Sequence, residues 1–212
     1  MHDSVYLNIT QTNPARPLPQ ATPDTVGIPE SVADQVLVAP YNDLESTAEL
    51  LAAHHDELAG VILEPFQRIV AAAPGFLQGI RDLTREYQIP LIFDEIVTGF
   101  RFAYGGAQET YGVLPDIVLL GKIPSGGLPL AMIAGSREFM GAFDAANFGS
   151  ESFGLPGPNA SGNLPQVSTY MANPLVRRCA HIVRRCANIY ISIIILYMCV
   201  CVCVLLITAT EQ

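Results

Sequence analysis

Five short runs of consecutive apolar residues punctuate the chain: Val36–Ala39, Gly60–Leu63, Pro90–Phe93, Ile117–Leu120 and Leu130–Ala134. Unbroken apolar runs of this length, without alternation, suit strands buried on both faces. Helix-like segments lie between them, notably Asp43–His55 and Pro74–Tyr87. The second opens on proline and spaces Phe76, Leu77, Ile80 and Leu83 near 3.6 residues. Buried strands alternating with amphipathic helices predict an α/β domain, its mostly parallel sheet covered by helices. Residues 10–35 carry Pro14, Pro17, Pro19, Pro23 and Pro29 and read as an extended stretch with no core of its own. No internal repeat is visible.

In parallel sheets of this kind, ligands gather at the carboxyl ends of the strands. Three runs here end in a polar residue. Gly-Val-Ile-Leu-Glu-Pro ends at Glu64, Pro-Leu-Ile-Phe-Asp-Glu at Asp94 and Glu95, and Ile-Val-Leu-Leu-Gly-Lys at Lys122. Lys122 is the only lysine of the chain. A lone lysine is ordinarily a solvated surface residue. This one follows a buried strand and precedes Ile123-Pro124-Ser125-Gly126-Gly127-Leu128-Pro129, a turn whose glycines let backbone approach a ligand closely. An amine held there can lose its proton and form a Schiff base with an aldehyde. Asp94, one strand earlier, could sit against a cationic ring nitrogen; its blander reading is a cap or a salt bridge. A lysine Schiff base with an aspartate on a pyridinium nitrogen is the division of labour at a pyridoxal 5'-phosphate (PLP) site.

Charge and cysteine content divide the chain near residue 175. Up to that point seven basic residues face 19 acidic ones, and no cysteine occurs. The acidic body argues against nucleic-acid binding. The missing cysteines exclude a disulfide framework there and suit a reducing, cytoplasmic setting. The amino terminus has neither the basic nor the apolar part of a secretory signal. Residues 176–212 read as an unrelated tail holding all five cysteines: Cys179, Cys186, Cys199, Cys201 and Cys203. Within it, 189–207 is free of charge and proline, follows two arginine pairs, and has the length of a transmembrane helix. The Cys-Val alternation from Cys199 to Val204 equally fits a translated dinucleotide repeat.

Phe93-Asp94-Glu95-Ile96-Val97-Thr98-Gly99-Phe100-Arg101 resembles the aspartate strand of class-III PLP-dependent aminotransferases. Tyr104-Gly105-Gly106-Ala107-Gln108, Gly112-Val113-Leu114-Pro115-Asp116, and Leu120-Gly121-Lys122 with Gly126-Gly127-Leu128-Pro129 continue the pattern in order. The details are most similar to the glutamate-1-semialdehyde 2,1-aminomutase branch. The resemblance implies the large domain of the type I PLP fold over 1–175, a homodimer, and amino-group transfer on an amino or oxo acid. By the same resemblance Lys122 carries the cofactor, Asp94 meets its ring nitrogen, Ile96 packs on one ring face and Glu64 lies beside the site. Thr169, in Ser168-Thr169-Tyr170, matches a threonine that reaches the phosphate bound by the partner subunit. Where many members have a glutamine that bonds the ring hydroxyl, this chain has Val97.

The same comparison implies a chain cut short at both ends, without the phosphate-cradling Gly-Ser loop, the stacking aromatic ring or the carboxy-terminal domain. Weak catalysis or none would follow, because PLP chemistry depends on orientation and preorganised charge. The alternative is a non-catalytic fragment, tethered to a membrane through 189–207, from a mis-spliced or frameshifted transcript. Residues 147–167 are less regular than the family pattern. His54 and His55 lack further ligands at zinc spacing and read as exposed polar residues. No GxGxxG follows a strand, which disfavours a dinucleotide site.

Overall fold

The structure, a computed structural model, describes residues 7–8, 16–128 and 130–140, together with the backbone of 191–192 and 204–208. In chain order the elements are α1 (Glu30–Ala33), β1 (Val36–Ala39), α2 (Leu44–His54), β2 (Leu58–Leu63), β3 (Phe66–Gln67), β4 (Val70–Ala71), α3 (Phe76–Glu86), β5 (Leu91–Glu95), α4 (Gly106–Tyr111), β6 (Ile117–Leu120), β7 (Met132–Gly135), α5 (Arg137–Met140), β8 (Ile191–Ser192) and β9 (Val204–Thr208). A 3-10 turn, Ile123–Ser125, follows β6.

Seven strands form one sheet in the order β1-β9-β2-β5-β6-β7-β8. β2, β5 and β6 pair in parallel, whereas β7 and β9 run against their neighbours. Among the described strands five therefore point one way, as expected of an α/β domain with a mostly parallel sheet. β3 and β4 make a separate small hairpin just past β2.

Helices α2 and α3 pack against each other, close enough at Gly79 that an added Cβ would collide with the Leu44 side chain. Asp43 starts α2 by accepting hydrogen bonds from the Ser46 amide at 3.0 Å and the Ser46 hydroxyl at 2.6 Å, which hold its carboxyl below the usual range. α3 starts at Phe76, two residues later than its proline suggests. Gly75 is the cap, and its φ of 83° is a conformation that glycine adopts freely. Phe76, Leu77 and Ile80 from α3 join Leu51, Val61, Leu63, Leu91 and Phe93 in the main core.

The proline-rich entry segment is better anchored than its composition suggests. Leu7, Ala21 and Ala33 are fully buried and form a second apolar cluster with Val36, Val38, Ile62 and Ile96. The isolated bridge Leu7–Pro23 fastens the segment to itself, and Gln20–Leu37 ties it to β1. Separate small contacts of this kind follow no periodicity, so the sequence pattern does not announce them.

The apolar tail corrects a second expectation. The described parts of 189–207 are extended and not the continuous helix, nor the transmembrane helix, that the apolar run predicts. Ile191–Ser192 pairs with β7, and Val204–Thr208 lies between β1 and β2, antiparallel to both. Among the described residues no helix is long and apolar enough to cross a membrane. Hydropathy alone carries no helical period, and a Val/Leu/Ile run suits a doubly flanked strand.

Candidate active site

Because β2, β5 and β6 are parallel, their carboxyl ends share one edge of the sheet. The register brings Leu63 opposite Phe93, so Glu64 and Asp94 leave neighbouring strands at the same level. Asp94 lies opposite Leu119 and Glu95 opposite Leu120, and Lys122 follows two residues later. The structure thus brings Glu64, Asp94 and Lys122 to one edge, as their positions after apolar runs predict.

Asp94 is 3% exposed. Its Oδ1 accepts a hydrogen bond from the Ile96 amide at 3.0 Å. Its Oδ2 is buried with no partner among the described residues. Burial pushes the carboxyl up to about 7; the Glu64 and Glu95 charges add to the rise, while the Ile96 amide and the Lys122 ammonium oppose it. A buried oxygen left open in this way suits a cationic N–H donor, and a protonated ring nitrogen is such a donor. The residues present therefore fit the PLP ring.

Lys122 is exposed and has φ 56° and ψ −94°, a strained conformation for a residue with a side chain. Such backbone costs on the order of 1–3 kcal/mol and persists only where its surroundings over-determine it. Here the Lys122 carbonyl accepts two hydrogen bonds from buried Ser125, one from its hydroxyl at 2.5 Å and one from its amide at 3.1 Å. Gly126, in the left-handed region at φ 56°, closes the turn.

Glu95, next to Asp94, has a different task. It is fully buried and accepts hydrogen bonds from Thr98 Oγ1 at 2.9 Å, the Ala107 amide at 2.6 Å, and the Gln108 amide and side chain, each at 3.1 Å. The start of α4 is thereby tied to the end of β5. Sequence reasoning finds Glu95 but misses this strut and α4; the available signal is Thr98 three residues on and Gly-Gly-Ala-Gln beyond. Gly106 is needed there, since its φ is 77° and a Cβ would lie 2.5 Å from Glu95 Oε2.

Ile96 is 5% exposed and rests against Gly121, whose added Cβ would come within 3.3 Å of Ile96 Cγ2. It therefore stands beside the backbone that leads to Lys122. Glu64 is 5% exposed, and its Oε2 accepts from the Arg68 amide at 3.5 Å. Nearby, the Tyr41 hydroxyl donates to the Pro65 carbonyl at 3.0 Å; burial raises its pKa, with Tyr111 and Glu64 adding to the rise. Thr169 and residues 147–167 lie outside the described residues. His54 and His55 sit at the far end of α2, paired with Glu57 at 3.1 Å and Asp56 at 3.4 Å. His55 also stacks on Tyr87.

The opposite edge of the sheet is held by an ion pair that the sequence does not reveal. Arg81, 8% exposed, grips Asp116 with both terminal nitrogens at 2.6 and 3.0 Å, and the same carboxylate accepts from the Leu91 amide at 2.8 Å. Burial pulls the Asp116 carboxyl up, but the Arg81 and Leu91 hydrogen bonds outweigh it and hold the pKa below the usual value. This locks α3 to the starts of β5 and β6. A cavity of about 430 Å³ lined by Arg16, Gln20, Asp34 and Leu37 shares no residue with the strand-end site.

A buried aspartate and a glycine-turn lysine at adjacent parallel strand ends define the geometry of a PLP-dependent fold. The class-III aminotransferase family model matches residues 9–187, and the chain belongs to that family. PLP is the cofactor of the family. Among solved structures, the chain is similar to an omega-transaminase from Sphaerobacter thermophilus. The identity is 37% and the TM-score 0.73, over 87% of this chain and 40% of that one. It is 28% identical to a transaminase with PLP bound, with a TM-score of 0.69 over the same shares. A glutamate-1-semialdehyde aminomutase from Pseudomonas aeruginosa PAO1 is 30% identical, with a TM-score of 0.52 over 64% of this chain and 29% of that one. The chain spans about 40% of the length of the first two.

Proposed function

We propose that this chain is the cofactor-binding core of an enzyme that moves amino groups between amino and oxo acids, with Lys122 as the attachment residue. The observation that carries the reading is the open, buried Asp94 Oδ2 beside the strand end that leads to the chain's only lysine. Bound PLP supplies an aldehyde and an electron-withdrawing ring that takes up charge from the substrate carbon. Lys122 Nζ would hold the cofactor through its amine and, when free, would move a proton at the substrate carbon. Asp94 keeps a proton on the ring nitrogen through a charge-assisted hydrogen bond. Ile96 presents an apolar wall, Glu64 borders the site, and Glu95 holds the Asp94 strand end in register. Thr169 contacts the cofactor phosphate across a homodimer.

Substrate choice between a transaminase and a glutamate-1-semialdehyde aminomutase is open to both kinds of relative, and Val97 in place of glutamine is the residue that supports the mutase side. The test is the visible spectrum of the purified chain with added PLP, beside Lys122→Ala, followed by assays with amino donors. A band present in the wild type and absent from the variant supports the reading. Identical spectra would leave a chain that does not attach cofactor, which is the non-catalytic alternative.

A further inference from the structure

We propose that Ser125 is a positioning residue of this site: its hydroxyl clamps the Lys122 carbonyl and so sets the direction from which the Lys122 amine works. The proposal rests on the reading of Lys122 as the attachment lysine. Among the described residues no hydrogen bond or ion pair holds the Lys122 amine. Its direction is therefore set by its backbone, and that backbone is strained at φ 56° and ψ −94°. Something must keep it there.

Ser125 does so with every polar group it has. Its hydroxyl and amide both donate to the Lys122 carbonyl, at 2.5 and 3.1 Å, and its own carbonyl accepts from the Leu128 amide at 2.9 Å. It is 6% exposed, so its hydroxyl does not trade this partner for bulk water. Pro124, also buried, lacks an N–H that could compete for the Lys122 carbonyl and fixes its own φ. The Gly126 amide donates to the Ile123 carbonyl at 3.0 Å and closes the turn behind it. The peptide plane after Lys122 is thus fixed at its oxygen by two donors from one residue. Removing the hydroxyl leaves a single turn bond, and the Lys122 backbone gains freedom to leave the left-handed region. The Cα–Cβ direction, which the backbone sets, is then no longer fixed.

The hydroxyl contributes to orientation and not to affinity, which makes the idea separable from a structural role. Cofactor capture is followed by stopped-flow absorbance over a range of PLP concentrations, with borohydride reduction and peptide mass spectrometry locating the adduct on Lys122. Ser125→Ala slows the first-order attachment rate at saturating PLP about three- to tenfold, as expected for one lost hydrogen bond. The half-saturating concentration stays within about twofold. Ser125→Thr keeps the hydroxyl and restores the rate, and Ser125→Cys, a weaker donor of similar size, falls between. Circular dichroism checks that each variant is folded, and if the alanine variant is not, the Ser, Thr and Cys series decides alone. Equal rates across the series, a loss confined to half-saturation, or a loss that threonine fails to restore overturns the proposal while leaving Lys122 attachment intact. A wild-type chain that never attaches PLP overturns both.

Discussion

Replacing Asp94 by asparagine should stabilise the ligand-free chain above neutral pH while weakening its response to PLP. In the folded chain the carboxyl is pushed from 3.8 up to about 7, chiefly by burial. Between these values the folded state holds a proton that the unfolded state has released, so stability falls as pH rises. The contribution is fully present below about 3.8 and is lost once the pH has passed about 7. About three pKa units correspond to roughly 4 kcal/mol, of which about 2–3 kcal/mol is lost between pH 5 and pH 8. The substituted side chain keeps an acceptor for the Ile96 amide but buries an amide N–H₂ where Oδ2 stood, at a cost of about 1–3 kcal/mol. The net gain at pH 8 is therefore about 1–3 kcal/mol. Urea unfolding followed by circular dichroism at pH 5 and pH 8 reads both curves. The wild type loses about 2–3 kcal/mol more than the variant across that interval. Added PLP raises the urea midpoint of the wild type far more than that of Asp94→Asn. Parallel pH profiles would refute the account of Asp94 as a buried, uncompensated carboxylate.

Two further perturbations test the frame around the site. Asp116→Ala leaves the Arg81 guanidinium buried without its counterion and should cost about 3–5 kcal/mol, read as a lower urea midpoint, whereas exposed Asp82→Ala should change little. Leu206→Pro removes a backbone donor in the strand flanked by β1 and β2 and should cost about 2–3 kcal/mol. An unchanged midpoint would show that β9 does not hold the sheet together.

Much of the frame is readable because buried parallel strands are written as unbroken apolar runs. β1 and β6 match their predicted runs to the residue. β5 runs on through Asp94 and Glu95, since a polar residue stays in a strand when its neighbours supply hydrogen bonds, as they do for Glu95. Lys122 and Asp94 are legible for a related reason, as polar residues placed directly after apolar runs. Ser125 is not, because its importance comes from the φ of another residue. α4 escapes notice because six residues opening on glycine carry no amphipathic period; Glu95, from another strand, anchors its start. The Arg81–Asp116 pair spans 35 residues, and no local pattern announces it. The tail misleads because an apolar run looks alike to a hydropathy count whether it coils or extends.

The place of β9 also bears on how the molecule is made. β1 meets the rest of the sheet through β9, yet about 140 residues separate the end of β2 from the start of β9. At ordinary rates of synthesis, about 5–20 residues per second, the ribosome needs roughly 7–28 s to bridge that gap. During this interval β1 and the near edge of β2 present unpaired backbone, the kind of edge on which chains aggregate. The entropic cost of closing so long a loop grows only slowly with its length, so the delay is a kinetic hazard and not a thermodynamic one. Until β9 is made, these two edges are where a nascent chain of this design is open to wrong pairing.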